Sequence, residues 1–334
     1  MKKTLIAGAV LGLFAGIAAA QSSVTLYGRL DAGYGKRYGD AKANMQSNYK
    51  DTSMWGLRGS EDLGDGLRAN FNLESEINSV ETGNGPAATG GGLSFNRAAW
   101  VGLSGSNWGA ASIGRMTTPQ NRVMGTFDLN GGSTQQSSAL GALGLGANSS
   151  LGGSRQNSML NYTSPNFGGF SAQVGYALKA DRPAAAGAAA NKDFVQAAGS
   201  YKNGGLTLGA VVQSKLSESA DARTGYALGA KYDFKSVVVS GLYTQDESKV
   251  GGRGFGFGVA VPLGLTTVGA QVARLSKSAT TANEGAMAYE LFANYNLSKR
   301  TLAYVAYGHL NDKAKVVNKA VNSNTLGVGL MHTF

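Results

Sequence analysis

The chain has 334 residues, with thirty basic against twenty acidic side chains, two histidines and no cysteine. Without cysteine, neither disulfides nor thiolate metal sites can carry the fold, and basic residues scattered without runs lack the clustered footprint that nucleic acid requires. Glycine makes up 50 residues and proline only 5, about twice the usual glycine share without the proline of a disordered linker.

In chain order, the first element is a secretory signal. Lys2 and Lys3 precede an apolar run, 5–19, and Ala18, Ala19 and Ala20 supply small residues for cleavage before Gln21. Residues 1–20 are therefore expected to be removed, leaving 21–334 as one domain. Lys2 and Lys3 leave with the signal, so the formal charge of +10 falls by two.

Period-two alternation follows. Val24, Leu26, Leu30, Ala32 and Tyr34 share one face, while Thr25, Tyr27, Arg29 and Asp31 share the other. Residues 67–77 repeat the pattern, with Leu67, Ala69, Phe71, Leu73 and Ile77 against Arg68, Asn70, Asn72, Glu74 and Glu76. It returns at 206–213, at 255–261 and at 326–334. Strands of roughly 8–11 residues are long enough to cross a bilayer when tilted. Charged residues in mid-strand fit a wet lumen, and the apolar face then meets lipid.

Short turns at 62–66, 164–169, 202–205, 233–235, 262–264 and 296–299 alternate with longer polar connections. Short turns on the periplasmic rim and long external loops on the other describe a transmembrane barrel. Sixteen antiparallel strands are predicted, an even number that closes the sheet and leaves no open edge in lipid. The fold class is thus all-β, a 16-stranded antiparallel transmembrane β-barrel. One connection, 116–154, is far longer than an ordinary loop. A sixteen-stranded lumen can hold it, so this third loop is expected to fold inward and narrow the pore.

The segments SSVTLYGRLDAGY (22–34), GLRGSEDLGDGLRANFNLE (56–74), FNRAAWVGLSG (95–105), ASIGRMTTP (111–119), NSMLNYTSPNFGGF (157–170), YNLSKRT (295–301) and the terminal GVGLMHTF resemble the trimeric general porins of Gram-negative bacteria, of the β-proteobacterial type. The resemblance implies a homotrimer in the outer membrane, passing ions and small polar solutes passively without cofactor, metal or catalytic residue. It also implies dealings with outer-membrane lipid, periplasmic chaperones and the barrel-insertion machinery, for which Phe334 resembles the terminal signal. On its own pattern Phe334 reads equally as a rim aromatic.

In the resembling family, arginines on the wall oppose acids on the inward loop. Arg155 stands at the corresponding wall position, and parity groups it with Asn157 and Asn161. Asp128 is the only acid in 116–154 and is expected to face it. Arg29, Arg58 and Arg68 have lumen parity, as do Met54, Glu74 and Glu76, while Trp55 and Leu57 point to lipid. Arg97 and Arg115 share parity with apolar neighbours, which suggests a subunit contact or a loop root. The sequence departs from the family where Ser53, Met54 and Trp55 replace a usual arginine and where Ala98 replaces a polar residue. A weaker basic wall is expected.

An outer-membrane hydrolase would have to build its triad on His309, since His332 lies on the apolar face, and no supporting constellation is present. A glycine run, 251–258, lacks the strand–loop–helix context of a phosphate loop. The remaining alternative to a general diffusion pore is a substrate-specific porin, or a barrel serving as adhesin or receptor. Tyr27 is the one clear aromatic expected in the lumen, which favours the general pore.

Overall fold

The computed structural model describes residues 23–77, 94–131, 137–149, 151–179, 189–246, 252–277 and 283–334. The expected signal, 1–20, and most of the long connection 79–94 lie outside the described residues. Seventeen strands form one closed antiparallel sheet. They are β1 (Ser23–Lys36), β2 (Asn44–Ser47), β3 (Met54–Gly64), β4 (Leu67–Glu76), β5 (Ala98–Gly105), β6 (Gly109–Thr117), β7 (Arg155–Thr163), β8 (Phe170–Ala177) and β9 (Phe194–Asn203). The remainder are β10 (Leu206–Gln213), β11 (Gly225–Asp233), β12 (Val238–Gln245), β13 (Arg253–Leu263), β14 (Thr266–Lys277), β15 (Met287–Asn296), β16 (Thr301–Leu310) and β17 (Asn324–Thr333).

Sixteen of them span the barrel. The short β2 is an addition that alternation does not reveal: Asn44–Ser47 folds back onto the upper half of β1, with Ala32 opposite Ser47 and Gly35 opposite Asn44. Closure occurs on β1, whose lower half pairs with β3 and whose upper half pairs with β17. Phe334 completes the seam, since its N–H donates to the Gly28 carbonyl at 3.0 Å and its own carbonyl accepts from Gly28 at 3.1 Å.

The alternation has the predicted sense. Val24 is 65% exposed and Leu26 58%, and Val101, Ile113, Leu160, Phe257, Leu291 and Val328 join them on the outside. An apolar belt of this extent would be prohibitive in water and is what hydrocarbon requires. No helix among the described residues is long and apolar enough to cross a membrane, so the strands cross.

The hydrophobic core lies inside the barrel, on the side that should be wet. Val123, Met124, Phe127, Leu140, Leu143, Leu145 and Leu151 of the third loop pack on Ala198, Val211, Ala227, Leu242, Ala273 and Leu275 of the inner wall. Strand β6 ends at Thr117 and β7 begins at Arg155, so the connecting segment is 118–154. It is organised by two short helices, α1 (Pro119–Met124) and α2 (Ala139–Ala142), each capped by a hydroxyl, Thr118 and Ser138 respectively. A third helix, α3 (Asp312–Asn318), lies in the external connection before β17.

Candidate pore constriction

Glycine determines where the inward loop sits. A side chain at Gly209 or Gly229, neighbours on β10 and β11, would overlap the Phe127 ring, and one at Gly256 would overlap Leu140. These glycines are hollows in the inner wall that admit the loop's apolar knobs. Polar ties supplement the packing. The side-chain Oε1 of Gln196 accepts from Gln120 N–H at 2.7 Å, and Ser240 and Lys231 donate to the Phe127 and Thr126 carbonyls at 2.7 Å each. The loop thereby lines the inner wall from β8 round to β16.

The connection 37–53 also turns inward. Tyr49 stacks on Tyr304 with centroids 6.3 Å apart, and Asp31 accepts from Tyr304 and from the backbone N–H groups of Lys50 and Asp51. The two inward segments meet in a buried polar knot. Lys50 donates to Asn130, whose side chain donates to Glu290 at 2.7 Å; Ser137 and Gln271 also donate to Glu290, and Gln271 donates to Asp128 at 2.9 Å. Burial, then the nearby Glu290 charge, pushes the Asp128 carboxyl up to about 7. Burial likewise lowers the Lys50 pKa, against the pull of Glu290 and Asp128.

The space left open is bounded by β1 and β3–β7 on one side and by α1 on the other. A cavity of about 520 Å³ there is lined by Thr25, Arg58, Asn70, Asn72, Trp100, Ser104, Ser112 and Asn161 from the wall and by Arg122 from α1. Strand register arranges the wall residues in rows. Arg58 lies opposite Asn72 and Asn72 opposite Trp100; on the next row Ser60, Asn70, Gly102, Ser112 and Asn161 follow one another across five strands.

Each charge expected from sequence has a definite place. Arg29 grips the inward segment 37–53, with Nη1 2.6 Å from Asp51 and Nε 3.0 Å from the Thr52 carbonyl. Arg58 lies over the Tyr27 ring at 5.0 Å and faces the cavity. Arg68 is at the short-turn mouth, 3.9 Å from Asp62. Met54 lies opposite both Arg29 and Glu76, and Trp55 and Leu57 fall on the other parity. Glu74 accepts from Tyr27 at 2.9 Å and from Arg97 at 2.5 Å. Arg97, Glu74, Arg115 and Glu76 are the charges that act on Arg155.

Three expectations need correction. Asp128 does not oppose Arg155: it is buried in the knot with Glu290 and Lys50, because the loop's one acid is used to seat the loop. Parity does not carry from Asn161 to Arg155 either. Ser158 adopts a left-handed backbone at φ 44°, and a bulge there sets two residues of β7 against one of β6, placing Gln156 opposite Met116 and Arg155 opposite Thr117. Arg97 does stand at a loop root, but its guanidinium turns to Glu74 on the wall. Arg115 binds the Asn96 carbonyl and the Asn157 side chain, both at 2.5 Å, also at a root.

Sequence reasoning passed over Arg122, Lys50 and Glu290. Trp100 was legible, because it shares parity with Ala98 and Gly102 against the exposed Val101 and Leu103. Tyr27 is thus not the lumen's single aromatic. His309 and His332 have side-chain partners in Asn324 and Thr301.

A family model described as Gram-negative porin matches residues 7–315. The chain belongs to that family. It is 32% identical to an outer membrane porin protein of Bordetella pertussis over a 397-residue alignment covering all of both chains. It is 34% identical to outer membrane porin protein 32 of Delftia acidovorans, over 94% of this chain and 90% of that one. Among solved structures, an anion-selective porin from Comamonas acidovorans superposes with a TM-score of 0.73 at 29% identity, covering 94% of this chain and all of the other. This porin is accordingly an outer-membrane general diffusion channel, passive and water-filled, for ions and small hydrophilic solutes.

Proposed function

We propose that this porin favours anions, and that its preference is set by Arg58 and Arg122 across the open cavity. The observation that carries this is the pairing of the carboxylates around it. Asp51 is held by Arg29 and Glu74 by Arg97, Asp128 and Glu290 are buried with Lys50, and Glu76 lies outside the cavity, where its charge acts on Arg155. Arg58 and Arg122 line the water-filled space, and Arg155 adds a third positive charge towards the external side. A fixed charge acts over about 8 Å at physiological ionic strength, comparable with the half-width of a narrow pore. The basic wall that Met54 and Ala98 weaken is offset by an arginine on the loop. The relative from Comamonas acidovorans, described as anion-selective, is consistent with this reading.

Reversal potentials under a KCl gradient test it. The wild-type channel should favour chloride, Arg58→Gln and Arg122→Gln should each reduce the preference, and the double variant should abolish it. Cation preference in the wild type would overturn the proposal.

The working unit in this reading is a homotrimer, delivered by periplasmic chaperones and inserted by the barrel machinery with Phe334 as part of the signal. After cleavage of 1–20 the domain 21–334 acts with 116–154 as its constriction and performs no catalysis. Conductance steps in groups of three from single insertions are the expected signature.

A further inference from the structure

Beyond a general preference for charge, the cavity between α1 and β3–β7 has the makings of a recognition site. Its volume of about 520 Å³ falls within the range of roughly 300–1,000 Å³ typical of small-molecule sites. Three kinds of group converge on it. Arg58 and Arg122 supply planar guanidiniums, which bind carboxylate or phosphate oxygens in pairs. Arg58 is held in place by the Tyr27 ring at 5.0 Å.

Trp100 supplies an indole that packs on the Met116–Met159 cluster and also borders the cavity. It lies opposite Asn72 on β4, in the row next to the one that holds Asn70 and Asn161. The third kind of group is a set of amides, which can donate and accept at once. Asn161 is only 7% exposed, lines the cavity, and has an Oδ1 that accepts no hydrogen bond from any described residue. A buried acceptor left open in this way is costly unless a partner arrives. Simple inorganic anions can use the arginines and the amide N–H groups but have no use for the indole face or for an open amide acceptor.

We propose that the cavity is a binding site for a sugar ring carrying an anionic group, with Trp100 packing against the C–H face of the ring, the asparagines meeting its hydroxyls, and the two arginines holding the acid. This rests on the anion preference above and adds the chemical class of solute that is retained in transit.

The test uses the full-length porin in planar bilayers, with glucuronate, gluconate and glucose as probes. Gluconate is acyclic: it carries the same charge and similar hydroxyls without the ring, and glucose has the ring without the charge. Current blocks by glucuronate should reach half-saturation at a concentration at least tenfold below that of either control. Trp100→Leu keeps apolar bulk against Met116 and Met159 but removes the aromatic face, and should bring glucuronate to within twofold of gluconate. Trp100→Tyr should retain most of the difference.

Arg122→Gln should weaken both acids alike and leave glucose unchanged. Equal block by glucuronate and gluconate in the wild type overturns the proposal, as does a Trp100→Leu channel that keeps the tenfold difference. Reversal potentials in plain KCl report the anion preference independently, so failure of that reading and failure of ring recognition appear in different measurements.

Discussion

Lys50 Nζ lies 2.8 Å from the Asn130 carbonyl oxygen and 2.6 Å from its Oδ1, joining two inward segments that leave the barrel wall at different hairpins. The ammonium is nearly buried and feels the opposite charges of Glu290 and Asp128. Removing one partner from such a group leaves uncompensated charge and typically costs about 3–5 kcal/mol. Lys50→Met should therefore loosen the third loop while the barrel stays closed. The expected result is a noisier, larger single-channel conductance and faster proteolysis within 118–154, with heat resistance of the barrel retained. Unchanged conductance and proteolysis would show that the apolar seats alone hold the loop.

The same knot predicts a dependence on pH. A carboxyl whose pKa is higher in the seated loop than in the released one holds more protons when seated, so seating weakens as pH rises. For Asp128 the window runs from the ordinary carboxylate range, about 4, to about 7. Above it both states are ionised and the loss is complete. Glu290 from β15 and Lys50 from segment 37–53 are the charged groups facing Asp128. Protection factors of the loop amides, taken relative to intrinsic exchange at each pH, should be higher at pH 5 than at pH 8, and Asp128→Asn should flatten that difference. Equal protection at the two pH values in the wild type would mean that protonation of Asp128 does not bear on seating.

A side chain added in the hollow that receives Phe127 should act as a wedge. Gly209→Val or Gly229→Val would overlap the ring, and overpacking of this kind usually costs about 1–3 kcal/mol. The loop should shift and conductance should change. Gly241→Ala is the matching control: a Cβ there meets nothing nearer than a carbonyl oxygen at 4.0 Å, so conductance should stay as in the wild type.

Strand register gives a paired charge test. Met54 lies opposite Arg29 and Glu76, whereas Leu57 lies opposite Leu26 and Leu73. Met54→Arg should raise the anion-to-cation permeability ratio, most clearly in dilute salt where screening is weakest. Leu57→Arg should lower the yield of inserted barrel, because a charge facing lipid near mid-depth costs roughly 2–4 kcal/mol. Exchanged phenotypes would place the second spanning strand one residue out of register.

At the seam, deleting Phe334 removes two backbone hydrogen bonds to Gly28 together with the ring that rests on that glycine. The yield of heat-resistant oligomer should fall at equal expression. A normal yield would reduce Phe334 to a rim aromatic.

The barrel was legible because each spanning strand states its own faces locally. Val24 and Leu26 are apolar on the lipid side, Tyr27 and Arg29 polar on the wet side, and no distant contact is needed to decide between them. Legibility stopped where position depends on remote partners. Asp128 looked free to face Arg155 until Gln271 and Glu290, more than 140 residues away, drew it to the opposite wall. Arg155 lost its parity to one left-handed residue, Ser158, that nothing in its residue type announces. Gly254, Gly256 and Gly258 read only as a strand interior, and their second meaning as hollows depends on Leu145, Leu140 and Leu129 arriving from the loop.

Those hollows bear on any attempt to rebuild the channel. The third loop and the glycines of β10, β11 and β13 form a lock and key encoded in distant stretches of one sequence. A loop transplanted from a relative would bring its knobs without their sockets, and would settle elsewhere or remain outside. Changing the bore of this porin therefore calls for exchanging wall glycines and loop as one cassette.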